Sequence, residues 1–278
     1  LKEETKQKLY AYALSIGKAV NYYNAGTVEF LVDKDENIYF IEVNPRIQVE
    51  HTITEEVTGI DIVRTQILVA QNYKLSDPGI FIQNQEDIPL KGFAIQCRIT
   101  TEDPSNGFKP DFGTIIAYRN AAGFGIRLDE GSSYPGVKIS PYFDSMLVKV
   151  SAKGRTLRGA SERLNRALTE FRIRGVKTNI PFLRNVITHP IFQDGQCTVQ
   201  FIDTHPELFK FKPTRDRSTK ALRYLGEVIV NGNPDVKVKP TAPFRLATIP
   251  FVDPAKEFPT GNKQLLDQLG PEKFAKHI

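Results

Sequence analysis

Apolar residues fall at Leu9, Ala13, Ile16 and Val20, spaced by four, three and four, while Lys, Glu and Gln occupy the other sides of the same turns. That spacing predicts one stripe of an amphipathic helix, ended by Asn24, Ala25 and Gly26. From Thr27 to Val43 the period drops to two on either side of a polar turn, Asp33 to Asn37, which predicts a hairpin. With Lys34 to Asn37 as its loop, Asp33 pairs with Ile38, and counting outward sets Glu29 directly opposite Glu42. The same count pairs Val28 with Val43, Phe30 with Ile41 and Val32 with Tyr39 on an apolar face. A second helix follows over Ile60, Val63, Ile67 and Ala70, with Asp61 placed to cap it. Gln71 to Leu90, with Pro78 and Pro89, reads as a connection.

The middle of the chain reads as β-rich. Phe93, Ile95, Cys97 and Ile99 alternate with Ala94, Gln96 and Arg98, and further strands are predicted at Thr114 to Tyr118, Gly125 to Leu128 and Met146 to Val150. Leu157, Ala160, Leu164, Leu168 and Phe171 form a third helical stripe, and Asn179 with Pro181 marks the start of a fourth. After Phe201 the periodicity weakens. Pro240, Pro243, Pro250, Pro254 and Pro259 then punctuate an extended linker that ends in a short amphipathic piece, Leu265 to Phe274. Helices and short strands in this order give an α+β fold class.

Composition narrows the function classes. At 278 residues, 40% hydrophobic and 25% charged, the chain is long enough for a sizeable core and unlike collagen or a disordered tail. No apolar run reaches the roughly 18 residues that span a bilayer, and the charged start LKEETKQ is no secretory signal, so no membrane partner is expected. The chain opens on Leu1 and reads as an internal piece. Net charge is +5, but the densest basic stretch, Lys210 to Lys220, is broken by Pro213 and Asp216, so no nucleic-acid partner is expected either. Two cysteines a hundred residues apart, Cys97 and Cys197, make neither a disulfide framework nor a metal knuckle, which fits the cytoplasm or a mitochondrial matrix. Cys97, on the apolar side of its strand, reads as a small core residue.

The chemistry concentrates after the hairpin. Two like charges opposite each other are destabilising unless a cation joins them, and carboxylate oxygens on strands suit Mg²⁺ or Mn²⁺; hydration at an exposed edge explains the pair equally well. Glu42, Asn44, Arg46, Gln48 and Glu50 continue at period two, so an extended chain would present five polar groups side by side. An arginine fork and a glutamine amide suit a small planar oxyanion, and a neighbouring carboxylate can act as a general base. His51 comes next and reads either as catalytic or, more simply, as a local hydrogen-bonding group.

GTVEFL followed by FIEVNPRIQVEHTITEEVTGID resembles the C-terminal half of an ATP-grasp domain in the biotin-dependent carboxylases. CRITTEDP, GFGIRLD, SPYFDSMLVKV and RGVKTNIPFL resemble the mixed sheet-and-helix C-terminal domain of their biotin carboxylase part. FKPDFGTI, IIAYR, RDRSTKALRYLGEVIVNGNP and the closing KQLLDQLGPEKFAKHI are similar to the pyruvate-using members, whereas acyl-CoA carboxylases share the catalytic motifs but not this exit. The resemblance implies three parts: 1–76 from an ATP-grasp domain, 77–212 as the biotin carboxylase C-terminal domain, and 213–278 leading toward a carboxyltransferase domain of the same chain.

It also implies roles. Glu29 and Glu42, with Asn44, would hold the metal on ATP; Arg46, Gln48 and the Val49 backbone would hold bicarbonate; Glu50 would deprotonate it; and Arg127 would stabilise the biotin enolate. Leu31 and Val199 align with apolar positions near the adenine, and Arg172, Arg174, Asp216 and Arg217 lie in stretches where acetyl-CoA or another effector acts in this family. Biotin would come on a carrier domain outside the segment, and the assembly would be a homotetramer. Core packing explains Leu31 and Val199 as well, and surface charge explains the four effector positions. A glycine-rich lid and a lysine of the nucleotide site have no counterpart in these residues, so the segment by itself is expected to be inactive. Another carboxylase or ATP-grasp ligase, or a non-catalytic assembly or effector module, are the rival functions.

Overall fold

The computed structural model describes residues 1–131, 133–211 and 217–232, the side chains of 217–220 excepted. The chain divides into two units, Leu1–Lys212 and Pro213–Ile278. The first unit opens with helix α1 (Glu3–Ala19), strands β1 (Thr27–Val32) and β2 (Ile38–Asn44), and helices α2 (His51–Thr58) and α3 (Ile62–Ala70). Then come β3 (Phe93–Thr100), β4 (Glu102–Asp103), β5 (Lys109–Pro110), β6 (Gly113–Thr114), β7 (Ala117–Arg119), β8 (Ile126–Glu130), β9 (Lys138–Ile139) and β10 (Met146–Gly154). Helix α4 (Leu157–Glu170), strand β11 (Arg172–Arg174) and helices α5 (Ile180–Thr188), α6 (Pro190–Gln193) and α7 (Phe201–Thr204) complete it, with a 3-10 turn at Pro206–Phe209. In the second unit the described residues form one helix, α8 (Arg217–Asn231), inside the stretch read from sequence as linker.

Three antiparallel strands in the order β3-β10-β8 carry the core. Alternation sends Ile95, Cys97 and Ile99 of β3 and Val148, Val150 and Ala152 of β10 to one face, where α4 covers them with Ala160, Leu164, Ala167 and Leu168. Each fully buried leucine there contributes about 1.5–3 kcal/mol. The helix starts where Thr156 accepts the Gly159 N–H on its side chain. It lies close to the strand: a Cβ on Gly154 would collide with the backbone of Gly159 and Ala160, so glycine is required at that crossing. Burial pushes the Cys97 thiol up to about 12, which fits an inert core residue rather than a nucleophile.

The hairpin departs from the counted register in two ways that cancel. Its loop holds three residues, since the Asp33 N–H donates to the Asn37 carbonyl, 3.1 Å, with Glu36 at φ 63°. A bulge at Ile41 then adds one residue to β2, so Phe30 faces Phe40, Leu31 faces Tyr39 and Val32 faces Ile38, instead of the Phe30–Ile41 and Val32–Tyr39 pairs expected. Glu29 opposite Glu42 and Val28 opposite Val43 stand as counted. The Glu36 carboxylate accepts from Thr5 Oγ1, 2.5 Å, and from the Lys2 N–H, 2.9 Å, which hold it below the usual carboxylate range and tie α1 to the turn.

Two other expectations change. Extended structure ends at Asn44: the Arg46 N–H turns back to the Asn44 carbonyl at 2.8 Å, so the row from Glu42 to Glu50 does not run on as a strand. The chain then enters α2, a helix that its β-branched sequence HTITEEVT conceals. Asp61 caps α3 as its position predicts, accepting the Arg64 N–H at 2.8 Å. The strand expected over Thr114 to Tyr118 is split between β6 and β7, which pair with β9 and β11 respectively.

Candidate active site

The side of the β3-β10-β8 sheet turned away from α4 is polar. Pairing across the strands lines up Gln96, Ser151 and Arg127 in one row and Arg98, Lys149 and Asp129 in the next. Opposed residues of an antiparallel pair point the same way, so six polar groups share this face. Helix α2 lies on it. Thr52, fully buried, has its Oγ1 3.1 Å from Ser151 Oγ and accepts from Gln96 Nε2 at 2.6 Å.

Two carboxylates of α2 reach the arginines of the sheet. Glu50, at the start of the helix, accepts from Arg98 Nη2 at 2.7 Å, and its side chain is half exposed. Glu55 is 9% exposed and takes Arg127 Nη1 on Oε2 at 2.5 Å and the Ile62 N–H on Oε1 at 2.8 Å. Asp129, two residues along β8, completes a two-point clamp on Arg127 with bonds of 3.0 Å to Nε and Nη2. Desolvation works against the Arg127 charge, but Asp129 and then Glu55 outweigh it and hold its pKa above the ordinary value. Arg127 and Glu55 open onto a cavity of about 600 Å³ bounded by α3. His51 has the local role: its Nδ1 is 2.8 Å from the Gln48 carbonyl and its Nε2 3.8 Å from Glu55.

The loop between the hairpin and α2 is pinned to the sheet. The Val49 carbonyl accepts from Gln96 Nε2 at 3.1 Å and from Lys149 Nζ at 3.2 Å. On the hairpin side Asn44 Nδ2 donates to Glu29 Oε1 at 2.8 Å and to Glu42 Oε1 at 3.0 Å, and Gln48 Nε2 donates to Glu29 Oε1 at 2.6 Å. Arg46 rests against the same group, with Nη2 3.4 Å from Asn44 Oδ1 and Nη1 3.1 Å from the Ile47 carbonyl. Glu29, Glu42, Asn44, Arg46 and Gln48 are therefore one connected cluster, while Glu50 and Arg127 belong to the α2 and sheet network. The Val49 carbonyl, held from β3 and β10, joins the two.

The remaining expected residues lie apart. Leu31 is on β1 opposite Tyr39 and 45% exposed, and Val199 stands 84% exposed just before α7. Arg172 and Arg174 are on β11, where Arg172 faces Arg119 across the ladder. Asp216 and the Arg217 side chain lie outside the described residues.

Two family models match this chain: "Carbamoyl-phosphate synthase L chain, ATP binding domain" over residues 1–77 and "Biotin carboxylase C-terminal domain" over 96–204. Pyruvate carboxylase from Staphylococcus aureus is 53% identical over 98% of the chain, which covers 24% of that protein. The crystal structure of the complete Rhizobium etli pyruvate carboxylase is matched over 99% of this chain and 27% of that one, at 51% identity and a TM-score of 0.73. By sequence and fold, this chain is similar to the biotin carboxylase region of the pyruvate carboxylases. It spans about a quarter of the length of the curated relatives it matches. The biotin carboxylase domain of Hydrogenobacter thermophilus 2-oxoglutarate carboxylase, at 41% identity and a TM-score of 0.71, is similar over 77% of the chain and 46% of its own.

The donor set of the hairpin can be tested for a divalent ion. Glu29 and Glu42 present hard oxygens on paired strands, and the two are bridged in this structure by amide N–H groups of Asn44. Turning that amide over would offer its carbonyl oxygen, so the trio fits Mg²⁺ or Mn²⁺. Sequence reasoning missed Glu55, Arg98, Asp129, Gln96 and Lys149. Asp129 was findable as the next residue on the Arg127 side of β8, and Gln96 and Arg98 as the polar members of an alternating strand; Glu55 was hidden with its helix.

Proposed function

We propose that this chain supplies the metal-, bicarbonate- and biotin-facing part of a biotin carboxylase site, in the ATP- and bicarbonate-dependent carboxylation of biotin that begins the conversion of pyruvate to oxaloacetate. The observation that carries this reading is the double tether of the Val49 carbonyl, which fixes Glu50 at the head of α2 beside the sheet that clamps Arg127. The H. thermophilus relative was solved with MgADP and bicarbonate, and the R. etli enzyme with acetyl coenzyme A as allosteric activator.

Each residue has work suited to its surroundings. Arg46 offers a planar fork, and Gln48 keeps a second amide N–H after bonding Glu29, so with the Val49 N–H they suit the oxygens of bicarbonate. Arg98 fixes Glu50 by Oε2, leaving Oε1 to take the proton of bicarbonate. The freed oxygen attacks the γ-phosphorus of ATP, releasing ADP and forming carboxyphosphate, which decomposes to carbon dioxide and phosphate; the phosphate takes the ureido proton of biotin. Arg127, held by Glu55 and Asp129 through one N–H of each nitrogen, keeps one N–H on each Nη to meet the negative charge that develops on the ureido oxygen. A divalent ion at Glu29, Glu42 and Asn44, when bound, supplies charge neutralisation for the phosphates.

On this reading 1–76, 77–212 and 213–278 are the ATP-grasp part, the biotin carboxylase C-terminal domain and the path toward a carboxyltransferase domain. Biotin arrives on a carrier domain elsewhere in the polypeptide, which assembles as a homotetramer in the cytoplasm, or in the mitochondrial matrix of a eukaryote. Leu31 and Val199 flank the adenine. Arg172 and Arg174, with Asp216 and Arg217, form the effector region; the direct opposition of Arg172 to Arg119 favours an anionic effector there.

The test is bicarbonate-dependent ADP release by the full-length polypeptide, with and without free biotin. Glu50→Gln is expected to lower that release by about 10²–10⁴-fold with nucleotide binding intact. Unchanged turnover removes Glu50 as the base. Wild-type protein that binds nucleotide yet shows no bicarbonate-dependent release would put the assembly or effector module first.

A further inference from the structure

The sequence contains two Thr-His-Pro triplets, 188–190 and 204–206, far from the residues just described. His189 joins α5 to α6, and His205 joins α7 to the 3-10 turn. A following proline confines each histidine to extended backbone, observed at φ −69°, ψ 134° and φ −124°, ψ 75°. Both imidazoles therefore project from stiff connections. Their ring centroids are 5.0 Å apart, and Phe201 packs against both. Glu207 brings Oε1 to 3.5 Å from His189 Nε2, and one donor atom from each of the three residues lies within 4.8 Å of the other two.

One hydrogen-bonding feature points to an ion rather than to a simple ion pair. His205 Nδ1 is 2.7 Å from the Phe201 carbonyl, so it carries the N–H and leaves a lone pair on Nε2, the tautomer that a ligating histidine takes. Two imidazoles and one carboxylate are a donor set for zinc. At bond lengths of about 2.0–2.1 Å a tetrahedral ion holds its donors about 3.3 Å apart, which the 3.5 Å between His189 and Glu207 already approaches.

We propose that His189, His205 and Glu207 bind a divalent transition-metal ion, zinc by preference, with water in the fourth position. The ion would clip the 3-10 turn at the end of the first unit to the α5–α6 corner, over the small core of Phe182, Phe201 and Leu208. Its role is structural, and it does not depend on the carboxylase reading.

The experiment strips the full-length polypeptide with a chelator, dialyses it and titrates zinc chloride, comparing wild type with His205→Gln and Glu207→Gln. Wild type is expected to retain one more zinc per chain than His205→Gln, and to bind it at least about 10–100-fold more tightly than Glu207→Gln. Zinc should raise the Tm of wild type in a concentration-dependent way and leave that of His205→Gln unmoved. Equal zinc content in all three proteins overturns the site. Should His205→Gln fail to fold, the half-exposed Glu207→Gln decides alone: unaltered zinc affinity there overturns it, as does a wild-type stability that follows pH but not zinc.

Discussion

The hairpin β1–β2 and the sheet β3-β10-β8 both deliver polar groups to the loop around Val49, but they hold those groups by different means. Before Ile95 the buried residues are Thr5, Thr52 and Glu55, none of them apolar, and on the hairpin Tyr39, Phe40 and Ile41 are each more than half exposed. Its carboxylates are positioned by amides, Asn44 and Gln48, rather than by packing. The sheet has a fully dry face under α4, so the direction in which Arg127 leaves β8 is set by a close-packed core. Precision in the guanidinium clamp and adaptability at the carboxylate cluster are the physical consequence: under the proposed function, a group that meets charge developing on a ring gains from rigidity, and groups that accommodate an ion gain from room to move.

Removing a packed side chain from the sheet gives the largest effect expected. Leu164 is 0% exposed between α4 and β10. Leu164→Ala should cost about 2–5 kcal/mol in urea unfolding, from lost transfer energy plus the cavity left behind. A loss below about 1 kcal/mol would mean that the sheet is no more tightly built than the hairpin.

Glu55→Gln sharpens the comparison at the point where helix and sheet meet. The substitution keeps the size of the side chain and the acceptor for the Ile62 N–H, but takes the anion away from Arg127. Stability should fall by about 1–3 kcal/mol. With Arg127 held by Asp129 alone, the stimulation of ADP release by free biotin should fall while nucleotide binding stays as it was. Equal losses in both would show that Glu55 matters to the fold of α2 and not to the aim of Arg127.

Legibility in the sequence followed the same division. The alternation of β3 and the stripe of α4 were readable because burial on one face imposes a period, and Asp61 and the Asn179–Pro181 start were readable as local helix-start signals, although the Asn179 side chain bonds the Thr100 N–H and the Arg98 carbonyl of β3 instead of capping α5. The hairpin register was readable at Glu29 and Glu42 only because a loop one residue shorter than counted is offset by the Ile41 bulge, and no pattern marks a bulge in a strand exposed on both sides. Glu42 to Glu50 suggested one extended row, and the turn at Arg46 breaks it. Helix α2 was hidden since Thr52, Ile53 and Val57 favour strand locally and tertiary contacts, Thr52 on Ser151 and Glu55 on Arg127, decide otherwise. Arg98, the partner of Glu50, and Glu55, the helix partner of Arg127, are 48 and 72 residues away in sequence, a distance no local pattern spans.

The smallest effect should come from the hairpin's own aromatics. Phe40 is 56% exposed, and among the described residues its one ring contact is an edge-on approach to Phe30 at 6.2 Å. Such a pair is worth about 0.5–1.5 kcal/mol, so Phe40→Ala in the full-length polypeptide should lie near or below the bottom of the range set for Leu164→Ala. The measurement has a sharp alternative. A loss of about 3–5 kcal/mol, as for a buried phenylalanine, would mean that this ring is covered in the complete protein. The carboxylate cluster would then rest on packing after all, and the contrast between an adaptable hairpin and a rigid sheet would fail.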